Sequence, residues 1–236
     1  MPPSSPGSVL RVASYNLRGL KDDPHASAAV VRAIDPDVLL LQEVPRFPGS
    51  SYAISAFARE CGLLWSGRTR LVSGTSLMTN IRVDASDSQD RKLKVGIRDN
   101  PRSYTLARVS RPGGIAATVV SVHLSLVDKE RVTHIRTVLQ EIEADPHTPD
   151  DEPLIIGGDL NEGEDGAAWG TLAQRLVEVS DDRPTFPAKN PRHRIDAIFA
   201  RGHRSATPGD QEVLRGHRAE LASATDHLPV WVDLQF

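Results

Sequence analysis

Short apolar segments and longer amphipathic segments alternate along most of the chain. Segments with period-two alternation, or with a short apolar run bounded by turn residues, are typical of β-strands. They are found at 9–17, 37–43, 75–83, 92–98, 103–110, 115–124, 153–157, 194–200 and 228–236. Segments with apolar residues three and four positions apart are typical of helices. They are found at 24–34, 51–61, 129–143 and 167–176.

The order of these segments indicates a mixed architecture. Four strand-like segments between residues 75 and 124 follow one another with only turn residues between them. Such a succession favours antiparallel pairing over repeated βαβ units. Roughly ten strands are more than one open sheet comfortably holds. We therefore predict an α+β fold of two packed, mainly antiparallel sheets with helices outside.

The composition is typical of an ordinary globular protein and gives no indication of a second domain. The 236 residues are 39% hydrophobic and 25% charged, and no apolar stretch approaches the ~18 residues of a spanning helix. Residues 1–8 have neither a basic nor an apolar signal region, so we predict a disordered N-terminus and a cytoplasmic protein. Residues 9–236 contain no linker-like stretch and are predicted to form one domain. We expect a monomer.

Cysteine content and net charge exclude some classes of protein. Cys61 is the single cysteine, which excludes an intramolecular disulfide framework and a multi-cysteine zinc site. A net charge of −3 offers no large basic field for gripping nucleic acid non-specifically, although local basic loops remain compatible with an enzyme. Two clusters of basic residues could each be either a solvated part of the surface or a contact for a phosphate-rich substrate. They are Arg192, His193 and Arg194 with Arg201, His203 and Arg204, and the mid-chain Arg98, Arg102 and Arg108.

Polar residues that a core would not choose stand at the ends of several apolar strands. Each has an ordinary structural explanation when taken alone, for example a turn former at Asn16 or a structural histidine at His123. Strand ends, however, are where a rigid scaffold can aim polar groups into one cleft. The candidate residues are Asn16, Glu43, His123, Asp159, Asn161, Asp196, Asp226 and His227.

Carboxylates, histidines and asparagines without cysteine suit a hard divalent cation and a phosphate. Mg²⁺ takes oxygen ligands and is usually held by one or two carboxylates together with substrate oxygens. The run from Asp159 resembles the start of a calcium-binding loop, but Glu164 occupies the sixth position, where that loop requires glycine. The H-E-x-x-H spacing of many zinc enzymes is absent.

Six short motifs carry a resemblance to a known family. In chain order they are Ser14–Asn16, Leu41–Val44, Ser121–Leu124, Gly157–Asn161, Arg194–Phe199 and Thr225–Val230. Each is weak alone, but the ordered set over residues 12–231 resembles the motif set of the endonuclease/exonuclease/phosphatase superfamily. The resemblance implies a four-layer α/β/β/α sandwich and metal-dependent hydrolysis of a phosphoester.

The resemblance also implies roles for the residues that match the motifs. Glu43 corresponds to the main metal-binding carboxylate, with Asn16 supporting it and Asp226 as a second acidic ligand or ligand orienter. Asp159 corresponds to the acid that orients or deprotonates the attacking water, and Asn161 to the amide that holds a phosphate oxygen.

Two histidines complete the implied catalytic set. His227 corresponds to the histidine that stabilises the pentacovalent phosphate, and Asp196 to the carboxylate that fixes its ring. His123 corresponds to the second histidine of the deoxyribonuclease-like and sphingomyelinase-like branches. Apurinic-site endonucleases have tyrosine there and asparagine three residues later, where this chain has His123 and Leu126, which argues against abasic-site repair. The sequence does not identify a carboxylate partner for His123.

The expected function is hydrolysis of a P–O bond by in-line attack of an activated water, with Mg²⁺ or Mn²⁺ as cofactor. The expected partner is a phosphoester substrate such as a nucleic acid, and the enzyme class is a nuclease or other phosphodiesterase. A lipid or inositol phosphate hydrolase, either sphingomyelinase-like or a phosphatase, is the alternative. A non-catalytic binding module of the same fold is less favoured, because Glu43, Asp159, Asn161 and His227 are all present.

Overall fold

A computed structural model describes residues 9–65, 67, 74–96, 100–112, 114–145 and 152–236. The N-terminus that we predicted to be disordered, residues 1–8, lies outside this range, as does Arg98. Among the described residues, no helix is long and apolar enough to cross a lipid bilayer.

Over the described residues, eleven strands form two mixed sheets. In spatial order, the first sheet contains β10 (Ser205–Pro208), β11 (Val230–Gln235), β1 (Val9–Asn16), β2 (Val38–Gln42) and β3 (Thr75–Thr79). The second contains β4 (Asp84–Leu93), β5 (Arg102–Arg111), β6 (Ile115–His123), β7 (Leu154–Asp159), β9 (Asp196–Arg201) and β8 (Val177–Glu178). Two neighbouring pairs are parallel, β1 with β2 and β6 with β7, and the other pairs in these sheets are antiparallel.

Helices cover the outer face of each sheet. The helices are α1 (Pro24–Ile34), α2 (Ser50–Cys61), α3 (Asp128–Glu143), α4 (Ala167–Ala173) and α5 (Arg218–Ala224). Helix α1 begins where the Asp23 carboxylate accepts hydrogen bonds from the backbone N–H groups of His25 and Ala26, with Pro24 in the first turn. Helix α2 ends at Gly62, whose φ of 73° suits a residue without a side chain.

Three apolar clusters hold the layers together. Helices α1, α2 and α5 pack on the first sheet, and α3 and α4 pack on the second. The third cluster lies between the sheets, where residues such as Val12 and Leu40 meet Val119 and Ile155. The predicted α/β/β/α sandwich is therefore confirmed.

Strand register brings the candidate residues to one edge. Asn16 pairs with Gln42 across β1 and β2, so Glu43 follows immediately at the same level. His123 pairs with Asp159 across β6 and β7, and Asp159 pairs with Asp196 at the start of β9. Because β1 and β2 are parallel, as are β6 and β7, the carboxyl ends of each pair meet at this common edge.

We predicted a strand at 92–98, but the strand ends at Leu93 and residues 94–96 belong to no strand, while residues 97 and 98 lie outside the described part of the chain. The observed β4 spans Asp84–Leu93 and is an exposed edge strand with a register shift between Ser86 and Gln89. Its sequence is almost entirely polar, so apolar periodicity could not reveal it. The short elements β8, β10 and α5 were not predicted either, because they span less than the window in which periodicity is visible.

Candidate active site

Asn16 connects two carboxylates at the carboxyl edge of the first sheet. Its Nδ2 donates to Asp159 Oδ2 at 3.0 Å and approaches Glu43 Oε1 at 3.4 Å. Its Oδ1 accepts the backbone N–H of Arg18 at 2.9 Å, which fixes the orientation of the amide. Glu43 has a φ of 48°, directly after β2, and its side chain remains 39% exposed. Of the two carboxylates that Asn16 contacts, Glu43 is therefore the one that solvent can reach.

His123 lies against the same carboxylates from the second sheet. Its Nε2 is 3.5 Å from Asp159 Oδ2 and 4.0 Å from Glu43 Oε1. These distances supply the acidic neighbours that the sequence did not identify. Burial holds the pKa of His123 well below its ordinary value, and the charges of Arg102 and His227 lower it further. The neutral imidazole is thus the favoured form.

Asp159 occupies the centre of the cluster. Besides Asn16 and His123, its Oδ2 lies 3.8 Å from His227 Nε2, and its Oδ1 accepts the backbone N–H of Asn161 at 2.9 Å. Burial and the neighbouring Asp196 raise the pKa of Asp159 to about 7. A carboxylate of raised pKa is a stronger base than an ordinary aspartate, as proton abstraction from water near neutral pH requires.

Gly158 is the residue that allows Asp159 to stand at this position. Its φ is 155°, and a Cβ there would lie 1.9 Å from the carbonyl oxygen of Val122 on the neighbouring strand. Only glycine permits β6 and β7 to approach so closely. The glycine before Asp159 is therefore required for the packing of the two strands that carry the site.

Asn161 ties together the loops that follow β6 and β7. Its φ is 52°, and its Nδ2 donates to the carbonyl oxygen of Leu124 at 2.9 Å. A side-chain amide carries two N–H donors, so this bond is compatible with the predicted contact to a phosphate oxygen.

His227 and Asp196 form a buried ion pair opposite Asn16. His227 Nδ1 lies 2.9 Å from Asp196 Oδ2, and the Thr185 hydroxyl donates to the same oxygen at 2.5 Å. Burial lowers the pKa of His227, but the carboxylates of Asp196, Asp159 and Asp226 together raise it to about 10. The imidazolium is thus favoured, with its Nε2 side towards Asp159. Thr185 lies in a loop without a motif, so its role could not be predicted from the sequence.

Asp226 is joined to the cluster through Arg18. The Arg18 Nε lies 3.2 Å from Asp226 Oδ2, while the backbone N–H of Arg18 holds Asn16. The two roles that we predicted for Asp226, a second acidic ligand or a ligand orienter, stay predictions. Arg18 was not predicted, since a cation after a strand has no distinguishing pattern.

The basic groups that the sequence left open have different surroundings. Arg108 lies 3.0 Å from the buried Glu152, away from the site edge. Arg194 lies 2.8 Å from Glu178 and stacks on Trp169 at 4.9 Å from the ring centroid. Both therefore have structural partners.

The donor set fits a hard divalent cation. Carboxylate oxygens of Glu43 and Asp159 both lie beside the Nδ2 of Asn16, and carboxylate oxygens are ligands that Mg²⁺ and Mn²⁺ prefer. Ligand atoms of Asp159, Asp196 and His227 also lie within 4.8 Å of one another. A protonated His227 cannot ligate a metal, so the Glu43 side suits the cation better.

The fold and this site together define a sandwich with a polar cluster at the carboxyl edges of both sheets. Residues 13–227 match the family model described as Endonuclease/Exonuclease/phosphatase family, and the chain belongs to that family. The comparison with curated proteins finds no match.

Solved structures of similar fold cover nearly the whole chain. One is the mannosyl-6-phosphatase Bt3783 of Bacteroides thetaiotaomicron VPI-5482, with 19% identity, 96% of this chain and 100% of that chain covered, and a TM-score of 0.74. Another is D. rerio TDP2 complexed with a single-strand DNA product, with 22% identity, 97% and 100% covered, and a TM-score of 0.72. The human Nocturnin catalytic domain with a bound sulfate anion has 17% identity, 97% and 94% covered, and a TM-score of 0.74.

Proposed function

We propose that the protein is a Mg²⁺- or Mn²⁺-dependent phosphoesterase, most simply a nuclease or other phosphodiesterase. The observation that carries the proposal is the position of Asp159. Its carboxylate is held by Asn16 and lies between His123 at 3.5 Å and His227 at 3.8 Å. A base beside a cationic donor is what attack of water on a phosphoester needs.

The proposed reaction is an in-line displacement at phosphorus. The water oxygen forms a bond to phosphorus, its proton passes to the Asp159 carboxylate, and the P–O bond to the leaving group breaks with its electron pair on the leaving oxygen. The His227 imidazolium, held by Asp196 at 2.9 Å, donates to a phosphoryl oxygen as negative charge develops there. Asn161 supports the phosphate through its amide.

The cation would act at the Glu43 side of the cluster. Glu43 would hold it, Asn16 would support the Glu43 carboxylate through its Nδ2, and Asp226 would position Asn16 through Arg18. A bound Mg²⁺ or Mn²⁺ supplies Lewis-acid polarisation of the phosphoryl oxygen. The similar Bt3783 is a mannosyl-6-phosphatase, and the similar TDP2 was solved with a single-strand DNA product. Both similarities support a phosphoester substrate, and they are compatible with either a phosphomonoester or a nucleic acid.

Hydrolysis of bis-p-nitrophenyl phosphate tests the proposal. We expect release of nitrophenol with Mg²⁺ or Mn²⁺, loss of release with EDTA, and recovery when the metal is restored. Activity that persists in EDTA would contradict the metal requirement, and inactivity with every divalent metal would contradict the esterase itself. A panel of single-stranded DNA, duplex DNA, RNA, sphingomyelin and inositol phosphates then identifies the substrate.

A second candidate is hydrolysis of a lipid phosphoester. An apolar cavity of about 260 Å³ is lined by Leu20, Phe47 and Phe57, and its wall includes Pro45, two residues after Glu43. Apolar walls beside a catalytic site can hold an apolar part of a substrate. Faster hydrolysis of sphingomyelin than of any nucleic acid would favour this candidate.

A further inference from the structure

Arg102 is a buried arginine with an incompletely satisfied guanidinium. It begins β5 and is only 9% exposed. Its Nε is buried and has no hydrogen-bond partner, and no carboxylate lies within ion-pair distance of it in the part of the chain that the structure describes. Burying a charge without a partner is costly, so such a group is typically kept for a ligand.

The surroundings of Arg102 place it beside the catalytic cluster. Tyr104, two residues later, pairs with Val122, so Arg102 stands at the same sheet edge as His123. Burial lowers the pKa of Arg102, while the charges of Asp159 and Glu43 raise it. The guanidinium therefore lies within electrostatic reach of the acids of the site and also of Glu130 and His134 in α3.

Arg46 adds a second cation from the other sheet. It lies three residues after Glu43, and its Nη1 is 3.4 Å from the carbonyl oxygen of Pro101, the residue before Arg102. No described carboxylate lies within ion-pair distance of Arg46. Its charge lowers the pKa of both Arg102 and His123, so the two guanidiniums act on one region. Guanidinium groups match phosphate oxygens in charge and geometry.

We propose that Arg46 and Arg102 form a subsite for a second phosphate, which flanks the scissile phosphate on the His123 side. The substrate class is a phosphodiester with an adjacent phosphate, such as an oligonucleotide. This inference rests on the proposed phosphoesterase function. His227 and Asn161 already serve the scissile phosphate, and Arg46 stands nearer solvent, so the guanidinium pair extends outward from the reacting centre.

Thymidine dinucleotides that differ only in a terminal phosphate test the subsite. The substrates are TpT, pTpT and TpTp, compared by kcat/KM for the wild type and for Arg102→Gln, Arg46→Gln and the matched control Arg59→Gln. Arg59 is an exposed arginine of α2. We expect the wild type to prefer one phosphorylated dinucleotide over TpT. We expect Arg102→Gln to reduce that preference about 10- to 100-fold, the value of one or two charge-assisted hydrogen bonds, and Arg59→Gln to preserve it.

Two results would overturn the inference. One is a wild type without any preference, or variants that retain it. The other is an equal loss on all three substrates in Arg102→Gln, which would assign Arg102 to the scissile phosphate instead. If Arg102→Gln does not fold, as judged by circular dichroism, Arg46→Gln at the site mouth decides the question.

Binding of inorganic pyrophosphate separates failure of this inference from failure of the proposed function. Calorimetric titration without metal needs no turnover, and we expect affinity in the wild type and about tenfold weaker affinity in Arg46→Gln. If affinity is unchanged in both arginine variants, the subsite is wrong even when bis-p-nitrophenyl phosphate is hydrolysed. If that ester is not hydrolysed but pyrophosphate binding depends on the arginines, only the phosphoesterase proposal fails.

Discussion

The buried ion pair of Arg131 and Glu162 supports both the fold and the catalytic loops. Arg131 Nε lies 2.6 Å from Glu162 Oε2, and the two side chains are 10% and 6% exposed. Arg131 also donates to the carbonyl oxygen of Leu126 at 2.9 Å, and Glu162 accepts the backbone N–H of Trp169 at 2.7 Å. Because Glu162 directly follows Asn161, the pair joins the loop after β6 to the loop after β7.

Glu162→Leu would leave Arg131 with the exposed Asp128 as its acidic partner, whereas Arg131→Met would leave the buried Glu162 carboxylate without a cation among the described residues. Breaking a buried pair in this way typically costs about 3–5 kcal/mol. For a chain of this size 1 kcal/mol shifts Tm by roughly 2–4 °C, so Arg131→Met should lower Tm by roughly 6–20 °C. Glu162→Leu should cost less, since Arg131 keeps Asp128 and its bonds to the loop carbonyls.

Thermal unfolding followed by circular dichroism measures these losses. The double variant Arg131→Met with Glu162→Leu should be more stable than the sum of the single losses predicts, by about 1–3 kcal/mol, because the charge it leaves unpaired, Asp128, is exposed rather than buried. Additive losses, or single losses below about 1 kcal/mol, would refute the role that we assign to the pair.

Three further variants test local features of the structure. Gly158→Ala places a Cβ 1.9 Å from the Val122 carbonyl oxygen, so it should cost about 3 kcal/mol and displace the catalytic strand end, and a wild-type melting curve would contradict this. Thr185→Val removes the hydroxyl that holds Asp196 and should lower kcat by roughly tenfold with KM little changed, whereas Thr185→Ser should restore it. Asp23→Ala removes the cap of α1 and should cost about 1 kcal/mol in urea unfolding without changing kcat/KM.

The site was predictable where its residues lie in motifs at strand ends. Asn16, Glu43, His123 and Asp159 each follow or end an apolar strand, and parallel register then brings them to one edge. Strand periodicity predicts which residues lie at the carboxyl edge of each sheet. It does not predict which residues of one sheet contact residues of the other. The contact between His123 and Glu43 at 4.0 Å depends on how the sheets pack and was therefore not predictable from spacing.

Other parts of the molecule had no signal in the sequence. Strand β4 is held by pairing with β5 rather than by its own apolar face, so its polar residues show no periodicity. Thr185 and Arg18 act through hydrogen bonds and ion pairs from the segments between the strands, and the conformation of such segments is set by tertiary contacts. Arg102 is a cation of open role in the sequence, and only its burial distinguishes it from the paired Arg108.

The central claim is that the Asp159 carboxylate and the His227 imidazolium carry out phosphoester hydrolysis. It is tested most directly by kcat for bis-p-nitrophenyl phosphate in Asp159→Asn and His227→Ala, beside the control Asp87→Asn. Asp87 is exposed on β4 and has a φ of 54°, which asparagine tolerates equally well. The account predicts a loss of roughly 10²–10⁴-fold for each site variant with native circular dichroism, and wild-type activity in the control. Rates within a few-fold of wild type in either folded site variant would contradict it.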